Sequence, residues 1–333
     1  MKSSRALALL ALLSVACGNQ RPLSESAAFL EVEEGAGEPV RPTEPAEPAE
    51  PAPPPPPKHP FLWVVEGGPR PSYVLGIIGA GVGLADVLTD EQRVWIELSD
   101  ALILRLDPHE PVRADQIPSS YLRRGQSLRR ILSTRAWARL REELPNLPEE
   151  ELDKLRPWMA HLLWGQFQTE MQLARMEHAQ GGAPIAPIGM GPALYAEAAG
   201  RGQEMVFLET FRDQSRMIGR LSDSDFAAWF ERWLFGNGRP IAERIEEHVQ
   251  TYRTGDERGM EEQIFVADPS TQERTVRRQF LDGRVRDWVP TIARQMRERG
   301  VFVAVDIQFV LGEHGIVSEL SRRGLTLRRV SPQ

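Results

Sequence analysis

The chain has 333 residues, 41% of them hydrophobic and 26% charged, and a formal net charge of −7. That apolar fraction can bury a sizeable core, and the length exceeds what one average domain needs. The acidic balance, without a basic stripe interleaved with aromatics, excludes a general nucleic-acid binder.

The first residues read as a secretory signal. Lys2 and Arg5 give a short positive start, and Ala6 to Leu13 form an apolar run too short to span a bilayer as a helix. Ser14-Val15-Ala16-Cys17 then resembles a bacterial lipobox, with small residues before a cysteine and Ser14 in place of the usual leucine. Cys17 is the only cysteine, so no internal disulfide is available, and the sole thiol stands where lipidation needs it. Two or more acyl chains on Cys17 would hold the mature chain stably at a membrane. Gly18, rather than an aspartate, follows the cysteine. By similarity to enteric lipoproteins this implies the outer membrane of a Gram-negative cell envelope.

Residues 18–60 read as a Pro/Glu-rich tether, with Thr43-Glu-Pro-Ala-Glu-Pro-Ala-Glu-Pro-Ala and the run Pro53 to Pro57. Proline fixes φ and removes a donor, which leaves polyproline II as the available backbone. Stretched at about 3.1 Å per residue, such a segment holds a domain on the order of 100 Å from its anchor.

From Phe61 the pattern is globular, giving three parts: a signal peptide over 1–17, the tether over 18–60 and a domain over 61–333. Trp63-Val-Val and Ser72 to Ile78 predict two strands joined by a Gly67–Pro71 turn. Further strands are expected at Arg93–Glu97, Met205–Leu208, Val301–Val305 and Leu325–Val330. Helical spacing is expected over Ser127–Glu143, Glu149–Ala179, Ser224–Phe235, Ile241–Arg253 and Thr271–Arg299. Strands alternating with helices predict an α/β fold, with a mixed central sheet flanked by helices and a large helical insertion. Trp137, Trp158, Trp164, Trp229, Trp233 and Trp288 fall at apolar helical positions and read as core. Gly79-Ala-Gly81-Val-Gly83 has the spacing G-x-G-x-G, which is not that of a dinucleotide loop. No nucleophile elbow or phosphate loop is present.

Several short segments, taken in order, resemble the TraB/PrgY/GumN family, which includes the TIKI peptidases. They are Tyr73-Val-Leu-Gly76-Ile77-Ile78-Gly79, Val94-Trp-Ile-Glu97, Arg156-Pro157-Trp158, Gly189-Met-Gly191, Leu208-Glu209-Thr210 with Gln214, Arg284-Val285-Arg286-Asp287-Trp288 and Phe302 to Gly312. The resemblance implies a metal site built on two Gly-x-x-His patterns, a strand ending in a glutamate, and further polar groups. Here the histidine positions hold Gly79 and Phe309, and three other expected polar positions hold Ile77, Gly191 and Val285. Glycine and phenylalanine offer no lone pair to a divalent metal. What the resemblance leaves is Glu97, Glu209 and Arg284, as a residual acid–base pair or as a neutralised structural cluster. Asp306 and His314 are the nearby alternatives for ligands.

The expectation is a lipid-anchored envelope protein whose domain has lost its metal chemistry, needs no cofactor, and binds a peptide, protein or envelope component. Its alternative is a divergent metal-dependent hydrolase with relocated ligands. A third reading places a binding face on the insertion, Ser127 to Ala179.

Overall fold

The computed structural model describes residues 58, 60–79, 81–111, 119–179, 189–265 and 267–331. The signal peptide, Cys17 and the tether up to Pro57 lie outside the described residues. Lys58 already touches the domain, its Nζ donating to the Leu88 carbonyl at 2.8 Å, and Phe61 is fully buried.

The frame is a six-stranded sheet ordered β4-β3-β5-β2-β1-β6. Leu62–Glu66 (β1) and Ser72–Ile77 (β2) pair antiparallel across the Gly67–Pro71 turn, as expected. Ala101–Leu104 (β3), Glu204–Phe207 (β4) and Val301–Asp306 (β5) join β2 in a parallel block. Thr326–Arg329 (β6) closes the other side against β1. β3 and β5 are buried along nearly their whole length, which is what continuous apolar runs become when helices cover both faces.

The strand expected at Arg93–Glu97 is instead part of a helix. Leu84–Val87 (α1) is followed by Asp90–Leu98 (α2), which Thr89 caps by accepting from the Gln92 amide at 3.2 Å. Gln92 returns the bond to the Thr89 N–H, and this capping box fixes a helix where a short apolar run alone is ambiguous. Gln92 and Ile96, four residues apart, point inward, while Val94 and Leu98 face solvent. The strand of this region is β3, a few residues later.

Between β3 and β4 the chain inserts Leu128–Ile131 (α3), Thr134–Glu143 (α4), Glu149–Asp153 (α5), Pro157–Ala179 (α6) and Met190–Gly200 (α7). The two long helices expected here are each broken. Ser133 starts a new helix by capping the Ala136 amide, and Pro157, which has no N–H to give, starts another. After β4 come Phe211–Arg220 (α8), Asp223–Phe235 (α9), Ile241–Thr254 (α10) and Glu257–Ile264 (α11). Thr271–Arg277 (α12) runs through a π-helical turn at Arg278–Asp282 into Gly283–Glu298 (α13). Ile307–Val310 (α14) and Ile316–Arg322 (α15) follow β5.

Two cores result. One surrounds the sheet and takes in α13 through Val285, Trp288 and Ile292. The other joins α3 to α6 with α8, α9 and Val276 of α12. His161 lies in this second core among Trp164, Phe226, Trp229 and Phe230, with ring centroids 4.7 to 6.2 Å away. Burial there lowers its pKa to about 4. Of the six tryptophans read as core, Trp137, Trp158, Trp164 and Trp288 are buried. Trp229 is half-buried, and Trp233 is exposed at the end of α9.

Candidate functional site

The parallel strands all end at one edge of the sheet. Pairing sets Ile77 opposite Asp306, and Leu104 opposite both Ala304 and Phe207. The Glu209 N–H donates to the Arg105 carbonyl at 3.1 Å and carries the β3–β4 ladder past the strand ends. Gly79, Arg105, Glu209 and Asp306 thereby come to neighbouring strand ends without any of them being close in sequence.

Side chains close this arrangement into an ion cluster. Arg284 donates through Nη2 to Glu209 Oε1 at 3.1 Å, and Arg105 Nη1 lies 3.5 Å from the same oxygen. Arg105 also places Nε 2.9 Å from Asp306 Oδ2. Gln214, on the first turn of α8, lies against both guanidinium groups, and with its amide oxygen facing them it accepts from Arg284 at 3.2 Å and from Arg105 at 3.1 Å. Glu209 and Arg284 are only 6% and 5% exposed, whereas the Arg105–Asp306 pair is 12% and 30% exposed. The cluster therefore has a dry inner half and a wetter outer half.

Helix geometry supplies the inner half. Thr210 caps α8 reciprocally with Asp213, and Glu110 accepts from the Phe211 N–H at 2.7 Å, so the residues after Glu209 turn at once into a helix. Arg284 stands on the first turn of α13, directly after the π-helical turn, a local insertion found often at functional sites. Its guanidinium lies 4.6 Å from the Phe280 ring centre and 5.4 Å from that of Phe309. Phe309 meets Trp288 edge-on at 4.8 Å. Burial raises the Glu209 carboxyl above its ordinary value; Arg284 and then Arg105 oppose that shift, and Asp306 adds to it.

Of the three residues singled out in sequence, Glu209 and Arg284 meet and Glu97 does not. Glu97 stands on the outer face of α2, 51% exposed, 3.6 Å from Arg201. The segment that the resemblance matched to a strand ending in a glutamate, Val94–Glu97, lies in α2; the next strand is β3, and the residue after it is Arg105. Sequence reasoning missed Arg105. Its signal was the unbroken apolar run Ala101–Leu104 just before it, the pattern of a fully buried strand.

The positions expected to be polar are occupied as follows. Phe309, Val285 and Ile77 are buried. A Cβ on Gly191 would touch Ile77 at 3.3 Å, so these two apolar-for-polar exchanges face each other. Gly79 is exposed, and a Cβ there would meet no atom of the other described residues within 4 Å. Gly189 lies against the Gly79 carbonyl so closely that it has no room for a side chain. His314 is exposed in the turn before α15, and His109 packs on Tyr195 at 4.8 Å. Among the described residues no group of three or more His, Cys, Asp or Glu side chains is placed to hold a metal ion. Among the described residues, too, no helix is long and apolar enough to cross a membrane.

The parallel block of this mixed α/β sheet gathers charged groups at its carboxyl edge, which is where such folds place ligands. The chain belongs to the TraB/PrgY/gumN family, whose model matches residues 61–329. No curated protein and no solved structure matches the chain.

Proposed function

We propose that this chain is a lipid-anchored envelope protein whose TraB/PrgY/gumN domain has lost the family's metal chemistry and acts by binding a peptide, protein or envelope component. One observation carries the reading. Where the resemblance expects metal-binding histidines stand Gly79 and Phe309, and the remaining carboxylates at the same edge face arginines. A divalent cation needs lone pairs at fixed points. Gly79 and Phe309 bring none. Glu209 and Asp306 already neutralise Arg105 and Arg284, whose positive charge repels a cation. This donor set does not fit the family's metal. The anchor rests on Cys17 behind its apolar leader, and Cys17→Ser is expected to abolish incorporation of labelled fatty acid.

Metal content by elemental analysis and divalent-cation titration of the full chain test the central claim. No tight metal is expected, and no peptide cleavage. One tightly held cation per chain, with metal-dependent cleavage lost in Glu209→Ala, overturns the proposal in favour of a divergent hydrolase.

A further inference from the structure

The π-helical turn that precedes Arg284 also builds a hollow of its own, apart from the ion cluster. About 200 Å³ of empty space, partly open to solvent, lies between the turn, Phe265 and the segment that follows β5. Its floor is apolar, made by Leu281, Val285 and Leu311, and its rim carries Arg277 and Asp282, with Gln308 and His314 adding an amide and an imidazole. An apolar floor with a few convergent polar groups is how small-ligand sites are built. The space falls below the roughly 300 Å³ at which pockets for drug-sized ligands begin, so it suits a single residue rather than a nucleotide or an oligomer.

The charged pair on the rim is a product of the turn. Arg277 and Asp282 are five residues apart, a spacing that on an α-helix sets two side chains about 140° apart around the axis. The i→i+5 bonding of a π-helical turn is wider and brings the two back towards one side. They nevertheless stop short of each other, with Arg277 Nε 3.9 Å from Asp282 Oδ1, beyond hydrogen-bond reach. Among the described residues neither side chain makes a hydrogen bond, although they are only 31% and 24% exposed. The Phe265 ring holds the guanidinium in place, 4.3 Å from its centre. Phe265 is itself seated on Gly312, where φ is +86° and a Cβ would come within 2.6 Å of the ring. The two charges are thus held side by side, each with hydrogen-bonding capacity left.

A guanidinium fork matches a carboxylate, and an ionised carboxylate accepts from an ammonium. An α-amino acid carries both groups on one carbon. We infer that this hollow is a receptor for a free α-amino acid with an apolar side chain, its carboxylate on Arg277, its ammonium on Asp282 and its side chain on the Leu281–Val285–Leu311 floor. The mixed charge of the rim decides against a simple anion, which Asp282 repels, and against a simple cation, which Arg277 repels. The inference goes beyond the binding reading above and does not depend on it.

The test titrates the full chain with leucine, leucinamide and N-acetyl-leucine, followed by ligand-observed NMR. Leucine is expected to bind with a Kd on the order of 1 mM or tighter. Each capped form is expected to bind about tenfold more weakly, the size of one charge-assisted hydrogen bond. Glycine, with no side chain for the floor, is expected to be weaker than leucine by about tenfold as well. Arg277→Gln is expected to bring leucine down to the level of leucinamide and to leave leucinamide where it was. Asp282→Asn is expected to do the same between leucine and N-acetyl-leucine. Absence of leucine binding at about 10 mM, ten times that Kd, overturns the inference. So does N-acetyl-leucine binding as tightly as leucine, which makes the ligand a peptide C-terminus, or leucinamide doing so, which makes it a peptide N-terminus. Equal binding of glycine and leucine overturns the apolar preference. A variant that weakens all the ligands alike acts on the fold, and overturns the contact assigned to that residue.

Discussion

Glu209 and Glu97 read alike in the sequence, each a glutamate after an apolar run, yet they stand in opposite settings. Glu209 closes a strand end and is sealed with Arg284, while Glu97 rides on the outside of α2 beside Arg201. The difference lies in what comes just before each. Leu208 continues a β ladder into the sheet edge, whereas Thr89 and Gln92 have already committed the residues before Glu97 to a helix. A charge in the first setting is costly to strip of its partner; in the second it is solvated either way.

Arg284→Met removes the innermost cation and leaves Glu209 buried against Arg105 alone. It is expected to cost about 3–5 kcal/mol of stability in urea unfolding followed by tryptophan fluorescence. A loss as small as that of a surface pair would mean that the seal over Glu209 is not what holds the carboxylate.

Acid titration extends the contrast to the second core. His161 is kept neutral by its aromatic surroundings, so the unfolded chain takes up that proton at higher pH than the folded one. Stability is lost as pH falls from 6.5 towards about 4, and His161→Phe is expected to flatten that limb in melts at stepped pH. Glu209 slopes the other way. Its raised pKa means that the folded chain holds the proton to higher pH than the unfolded one. Its ionisation therefore weakens the fold as pH rises above 4.5, the ordinary value. Glu209→Gln is expected to gain on wild type over that rise, and parallel curves for the two chains would show that Glu209 does not titrate as described.

Glu97→Ala is expected to change stability by no more than about 0.5 kcal/mol and to leave any activity or binding untouched. A large effect on binding would return Glu97 to the site.

Much of the frame was legible because buried parallel strands are written as apolar runs. β1, β2, β4, β5 and β6 were all anticipated close to their observed bounds. The α2 error came from a run, Val94-Trp95-Ile96, too short for its period to distinguish strand from helix, where the cap decided. The breaks at Ser133 and Pro157 were readable as start signals, but the helical spacing on either side concealed them. Half of the cluster was visible as Glu209 and Arg284, with Asp306 as an alternative. Arg105 was not, because its role is set by strand order: β5, nearly the last strand of the chain, lies between β3 and β2 and brings Asp306 to it. A long-range pairing of that kind leaves no local mark.

The π-helical turn at Arg278–Asp282 works as a phase shifter between the two cores. Before it, Val276 and Glu273 face the helical layer, with Glu273 bonded to Arg232 at 2.6 Å; after it, Arg284, Val285 and Trp288 face the sheet. Each residue of a helix turns the next by about 100°, as 3.6 residues make one turn. Deleting a single residue within that turn would not just shorten the helix. It would swing α12 about its axis relative to α13, so that the Arg232 seam or the Glu209 seam could be satisfied, but not both.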